Sequence, residues 1–285
     1  MAMMKIPELP EFPAIHIHPS QGPHTHTVIL LHGRGSNGKE FAEELFSSTT
    51  SNGKNLSSCL PNYRWVFPTS CDRYSTTFQE DICSWFDAYS LGNINERQEL
   101  QKEGLTQSVY HIFNVIEEEA NLLEGRLSHI YLGGISQGMA TALWTFLAAV
   151  CTGRLQGLLG GLLGFCGWLP FAQQLEDLLC KPSLDRHYTP EAQRIVSEFF
   201  FDKIFTQGLS QLNQILESSH FSTVVLLIHG SDDAWVSVDL GRQALRIMRQ
   251  IMPNIEYIEF SGAEVDGHWI KEPEGFDQIL HLLQR

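Results

Sequence analysis

The chain has 285 residues, with 19 Lys and Arg against 33 Asp and Glu, a formal charge of −14. Its 43% hydrophobic and 18% charged residues supply one large core and exclude a disordered chain. The acidic balance, with no cluster of Lys and Arg on any segment, argues against a nucleic-acid partner.

The first residues carry Lys5, but Pro7, Pro10 and Pro13 interrupt any apolar run, so no secretory signal is expected. Ala14–His18 alternates and Thr25–Leu31 is continuously apolar, predicting an edge strand and then a buried one. His32–Gly38 (HGRGSNG) is a glycine-rich loop, Lys39–Phe46 starts a helix, and Arg64–Pro68 is a short buried strand. Ser70–Asn95 is expected to be a long loop that includes Ser84-Trp85-Phe86-Asp87. Glu96–Leu123 has helical periodicity through Leu105, Val109, Ile112, Phe113, Ile116 and Ala120.

His129–Gly133 is a predicted strand, and Met139–Val150 is an apolar helix that must be buried on every side. No Lys, Arg, Asp or Glu lies between Arg126 and Arg154, yet Gly133, Gly134, Ser136, Gln137 and Gly138 interrupt the run. A strand, a turn and a buried helix explain it better than a membrane span, and stable membrane insertion is not expected. Leu155–Leu169 is expected to be a central strand ending at Cys166-Gly167-Trp168, and Phe171–His220 a helical stretch. Thr223–His229 is a buried strand, Leu240–Met252 a helix, Ile255–Phe260 a last strand and Phe276–Leu283 a closing helix. Strands alternating with helices predict βαβ units in one α/β domain over 1–285, with a mostly parallel sheet and helices on both faces.

Six Cys, at 59, 71, 83, 151, 166 and 180, have irregular spacing and no CxxC pair. That pattern fits reduced, buried thiols and a cytoplasmic location. His16, His18, His24 and His26 alternate, but no carboxylate or Cys accompanies them at ligand spacing, so no metal site is expected.

Gly134-Ile135-Ser136-Gln137-Gly138 matches GxSxG between a predicted strand and an apolar helix. The pattern needs glycine two residues on either side, because the turn presenting the central Ser is too tight for side chains. Ser136 is therefore the candidate nucleophile. The segment His229-Gly230-Ser231-Asp232-Asp233-Ala234-Trp235-Val236 follows a buried strand, where a carboxylate can orient an imidazole. The spacing HGxxDxxV favours Asp233 as that acid and leaves Asp232 to cap the turn. Beyond Asp233 only His268 and His281 remain; His281 sits between Leu280 and Leu282, and His268, after Gly267 in a loop, is the candidate base. His32 and His229, each before a glycine at a strand end, are expected to tie loops by hydrogen bonds. Oxyanion donors are expected from the backbone N–H of Gln137 and of Arg34 in the HGRGSNG loop.

LLHGRGSNGKEF, SWFD, GISQGMA, GWLP, HGSDDAWV and DGHW occur in the order found in acyl-protein thioesterases. From about Thr27 onward the chain thus resembles this phospholipase/carboxylesterase branch of the α/β-hydrolase superfamily. The resemblance implies an α/β-hydrolase fold and cleavage of acyl esters or thioesters without metal or organic cofactor. It carries Ser136, Asp233 and His268 over as the triad, with Arg34 and Gln137 as oxyanion donors. The substrate would be a small-molecule or acylated-protein ester; a homodimer is compatible with the sequence.

Arg34 departs from the small or aliphatic residue of the family; its guanidinium either meets an anionic substrate or Asp87, or faces outward. Lys181–His220 is longer than the family's connection and is read either as a core-packed helix or as a lid. Thr189 is its expected N-cap, with Pro190 and Glu191 in the first turn and Phe199–Phe201 on the apolar face. Trp85, Trp168, Phe199, Phe200 and Trp235 are the candidate substrate-lining residues. An acyltransferase, a small-metabolite esterase or a ligand-binding receptor on the same fold are the alternatives, and an intact nucleophile, acid and base favour catalysis.

Overall fold

A computed structural model describes residues 9–152, 155, 157–179, 189–204 and 222–285. The lead at 1–8, Cys180 and the stretches 181–188 and 205–220 of the expected helical region lie outside the described residues, as does the Phe201 side chain.

The strands β1 (His16–His18), β2 (His26–Leu31), β3 (Tyr63–Phe67), β6 (Ile130–Ile135), β7 (Gly161–Phe165), β8 (Val225–Gly230) and β9 (Ile255–Phe260) form one sheet. Their order is β1-β3-β2-β6-β7-β8-β9. β1 pairs antiparallel with β3, and every other pairing is parallel. Strand β2 explains why: Val28 and Leu30 pack on one face while Ile29 and Leu31 pack on the other, so a two-residue period feeds two cores.

Helices α1 (Gly38–Ser47) and α8 (Glu274–Leu283) cover the first face through Phe41, Leu45, Phe276 and Ile279. Helices α3 (Gln101–Leu122), α4 (Gln137–Thr152), α6 (Pro190–Ile204) and α7 (Val238–Ile251) build the second. α4 touches β6 and β7 below and α3 and α6 beside it, which is why its sequence carries no charge. A fully buried Leu, Phe or Met contributes about 1.5–3 kcal/mol, so this helix has no reason to leave the core. Caps follow the sequence. Asn37 Oδ1 accepts from the N–H groups of Lys39 and Glu40 at 3.1 and 3.0 Å. Thr189 Oγ1 accepts from Ala192 N at 3.1 Å, with Pro190 opening α6.

One expectation is corrected. The region 70–95 is not all loop: β4 (Asp72–Ser75) and β5 (Glu80–Cys83) form an antiparallel hairpin. Four of their eight residues are charged and Ser75 alone is buried, so they carry no apolar alternation, because the hairpin stands off the main sheet. Within 171–220, α5 (Ala172–Leu179) and α6 are helical, and α6 follows the core-packed alternative. It packs against α4 and α7, with Phe200 4.3 Å and Phe199 6.2 Å from the Trp144 ring. Among the described residues, no helix is long and apolar enough to cross a membrane.

Candidate active site

Ser136 lies between β6 and α4 with φ of +57°, in the left-handed region that a non-glycine residue rarely occupies. Its flanking glycines leave no alternative. A Cβ on Gly134 would stand 2.5 Å from the Gly138 carbonyl carbon, and one on Gly138 would stand 2.1 Å from the Leu31 oxygen. The turn is held by Ser136 N–H donating to Phe165 O at 2.8 Å. Gly33 of the HGRGSNG loop approaches so closely that a Cβ there would be 3.9 Å from Ser136 Oγ. That loop is anchored at Gly35, whose N–H donates to Cys83 O at 2.8 Å, and at His32. His32 Nδ1 donates to Gly33 O at 2.6 Å, and its Nε2 accepts from Ser70 N at 3.0 Å. Burial lowers the His32 pKa to about 4, opposed by that Gly33 bond and by Glu40, so the ring stays neutral as this pairing demands.

Asp233 and His268 meet across 35 residues of sequence: His268 Nδ1 lies 2.7 Å from Asp233 Oδ2. Asp233 Oδ1 accepts the N–H groups of Trp235 and Val236 at 2.9 and 2.8 Å. Burial alone would raise the Asp233 pKa, but hydrogen bonds from His229, His268 and Val236 N–H hold the carboxyl well below the usual range. The turn-capping role expected of Asp232 thus falls to Asp233. Asp232 instead reaches across to the Gly262 N–H, 2.7 Å from its Oδ2, and ties the acid's loop to the base's loop. His229 makes the expected loop tie, with Nε2 2.9 Å from Val236 O.

Ser136 and His268 line one cleft of about 350 Å³, together with Gly33, Arg34, Ser36, Phe41, Glu44, Leu91, Ile135, Trp235 and Trp269. Of the five aromatic residues expected to line it, Trp235 alone does so. The other four are corrected to core positions. The Trp85 indole donates to His32 O at 2.9 Å, and its backbone N–H donates to Gln137 Oε1 at 2.9 Å, so it supports the loop from beneath. Trp168 packs edge-on against Phe86 at 6.1 Å, while Phe199 and Phe200 are buried against Trp144. An apolar residue type alone cannot separate pocket wall from core. Phe41, Leu91, Ile135 and Trp269 escape sequence reading for the same reason, while Ser36 and Glu44 are polar residues with no pattern of their own, although Ser36 and Trp269 lie within the HGRGSNG and DGHW motifs.

The Gln137 side chain is committed to Trp85 and Phe86, donating to Phe86 O at 2.7 Å, which leaves its backbone N–H at the first turn of α4. Arg34 Nη1 donates to Ala88 O at 3.2 Å, and the guanidinium lies 5.1 Å from the Phe78 ring centroid. Burial lowers the Arg34 pKa, with Asp87 opposing. Asp87 itself accepts from the Thr76 hydroxyl and backbone N–H.

Sγ of Cys166 lies with the Asp233 and His268 ligand atoms within 4.8 Å, the one group of this kind among the described residues. Tetrahedral bonds of about 2.0–2.1 Å hold nitrogen and oxygen ligands about 3.3 Å apart. The 2.7 Å separation of Asp233 from His268 is therefore that of a hydrogen bond and not of a ligand pair.

Comparison with known proteins agrees with this architecture. Acyl-protein thioesterase 1 of Yarrowia lipolytica is 33% identical over 167 residues, 57% of this chain and 65% of that protein. The Schizosaccharomyces pombe protein of the same name is 29% identical over 170 residues, 59% of this chain and 66% of the relative. In both cases the matched region spans just under two thirds of the relative's length. The Gibberella zeae acyl-protein thioesterase 1 aligns more widely, 23% identical over 94% of each chain. Among solved structures, Zea mays acyl-protein thioesterase 2 shares the fold with a TM-score of 0.61, at 23% identity over 95% of this chain and 97% of that one. The phospholipase/carboxylesterase family model matches residues 13–194, and the chain belongs to that family.

Proposed function

We propose that this protein is a serine hydrolase that cleaves carboxylic esters or thioesters through an acyl-enzyme. The observation that carries this reading is the 2.7 Å Asp233–His268 contact at the edge of the cleft that also holds Ser136 on its left-handed turn. Because Nδ1 of His268 faces a carboxylate, that nitrogen carries the ring's proton and Nε2 is left as the acceptor.

His268 Nε2 takes the Ser136 proton as Oγ attacks the substrate carbonyl carbon. The carbonyl π electrons move to oxygen, and the resulting oxyanion is met by the backbone N–H groups of Gln137 and Arg34. Losing one such donor typically costs about 3–4 kcal/mol of transition-state stabilisation. His268 then returns its proton to the departing alcohol or thiol as the acyl–O or acyl–S bond breaks. Water repeats the sequence on the acyl-Ser136, releasing the carboxylic acid and the free hydroxyl. Asp233, already ionised, stabilises the imidazolium in both halves without changing its own protonation. No step calls for a metal or an organic cofactor.

The substrate is a small-molecule or acylated-protein ester, seated in the cleft that Trp235 helps to line. The relatives' names favour the thioester arm of this class. A cytoplasmic setting accords with the free thiols of Cys59, Cys71, Cys83, Cys151 and Cys166. The test is a graded series of p-nitrophenyl esters and acyl thioesters assayed with wild type and Ser136→Ala. Turnover of at least one series by wild type and its loss in the variant are expected. Equal rates in the two proteins would overturn the reading.

A further inference from the structure

His229 is 1% exposed, sits at the end of β8 and is not among the residues that line the cleft. Its Nε2 lies 2.9 Å from Val236 O and 3.4 Å from Asp233 Oδ2. A carbonyl oxygen can only accept, so Nε2 must carry a proton. Nδ1 is buried with no hydrogen-bond partner among the described residues, and protonating it as well would strand a charged donor away from water. The ring is accordingly the neutral Nε2–H tautomer.

We propose that His229 is a positioning residue for the reaction: its Nε2–H, shared between Val236 O and Asp233 Oδ2, fixes the oxygen on which His268 Nδ1 rests. The inference rests on the roles given above to Asp233 and His268. Three further observations support it. Both imidazoles address the same carboxylate oxygen, while Oδ1 is already taken by two backbone N–H groups. The His229 ring, 3.4 Å from Oδ2, is the largest influence opposing burial in keeping Asp233 ionised. Helix α7 places Gly241 against the ring, where a Cβ would come within 2.4 Å of Nδ1. The ionisable groups around the ring are Asp233 on its own loop and Tyr257 and Glu259 on β9, with His268 and Cys166 beyond Asp233.

The effect has a definite sign. Without the His229 donor, more negative charge stays on Asp233 Oδ2 and holds the His268 proton more tightly, so the acid limb of the rate profile moves to higher pH. His229→Leu removes the donor, whereas His229→Gln can return an amide N–H to the Nε2 position. His229→Leu is expected to lower kcat roughly tenfold, the scale of one weakened charged hydrogen bond. KM should stay unchanged, and the acid limb should rise by about half a pH unit. His229→Gln should recover most of the rate and the original limb. A folded His229→Leu protein with an unmoved acid limb, or the same defect in both variants, would overturn the proposal.

If His229→Leu does not fold, 15N-histidine NMR of the wild type decides between pH 6 and 8. An Nε2–H tautomer at His229 with a proton-exchange-protected signal supports the assignment, and an Nδ1–H tautomer overturns it. Fluorophosphonate labelling of Ser136 in wild type, run alongside, separates this outcome from failure of the hydrolase reading, because the tautomer is measured without turnover.

Discussion

The indole N–H of Trp235 donates to Asp266 Oδ2 at 2.6 Å, and the other oxygen of Asp266 accepts from the His268 N–H at 3.1 Å. One carboxylate thereby joins the loop that carries Asp233 to the loop that carries His268. Ala234 N–H adds a backbone bond to Asp266 O at 2.9 Å, and Asp232 clasps Gly262 from the other side. Acid and base are thus held in one rigid unit before any substrate arrives, which is the preorganisation that the proposed chemistry needs.

Ser136→Ala and His268→Ala should each lower ester turnover by about three to six orders of magnitude while circular dichroism and melting temperature stay near wild type. Neither side chain fills the core, so a large stability loss would point to a structural role. Comparable activity in either variant would mean that another nucleophile or base operates.

Asp233→Asn should lower kcat by about three to four orders of magnitude, because the amide cannot hold His268 in the required tautomer. Asp232→Asn should act mainly on loop stability, through the contact with Gly262. The reverse ranking, measured by kcat on one ester, would reassign the acid.

The depressed Asp233 pKa also makes a stability prediction. A carboxylate held below its unfolded value stabilises the fold fully above the unfolded pKa of about 4 and progressively less as pH falls toward the folded one. The stability advantage of wild type over Asp233→Asn should therefore shrink between pH 6 and pH 3 in urea denaturation. A difference that stays constant or widens on acidification would contradict the ionised, hydrogen-bonded state.

His111 behaves in a related way at a site without chemistry. Burial lowers its pKa to about 4, its ring stacks on Phe12 at 3.8 Å, and Nε2 is buried without a partner among the described residues. Between about pH 6.5 and 4 the unfolded chain takes up this proton and the folded one does not, so the group's contribution to stability falls as pH drops through that window. His111→Phe keeps the stack and removes the titration. Its stability should fall less steeply from pH 6.5 to 4 than that of wild type, and an equal slope would refute the assignment.

The architecture was legible where physics leaves a periodic trace. Ile255–Phe260 matches β9 residue for residue, the uncharged run Met139–Val150 lies inside α4, and Thr189-Pro190 caps α6 as its chemistry requires. Ser136 and Asp233 are marked by the GxSxG and HGxxDxxV spacings after β6 and β8, and His268 by its place beyond Asp233 in the loop after β9. The β4–β5 hairpin left no such trace, since its residues are charged and only weakly buried. Trp85, Trp168, Phe199 and Phe200 could not be told from pocket residues, because a buried aromatic ring looks the same in sequence whether it faces ligand or protein. Likewise, nothing in HGSDDAWV reveals that its histidine turns back toward its own aspartate; that takes the return of the chain at Val236.

Peptide-resolved mass spectrometry after fluorophosphonate labelling tests the central claim most directly, because it reads the nucleophile without assuming a substrate. A single phosphonyl adduct on the peptide containing Ser136 is expected, absent from Ser136→Ala and formed far more slowly in His268→Ala. An adduct on a different residue, or labelling of Ser136 at the same rate whether or not His268 is present, would contradict the account.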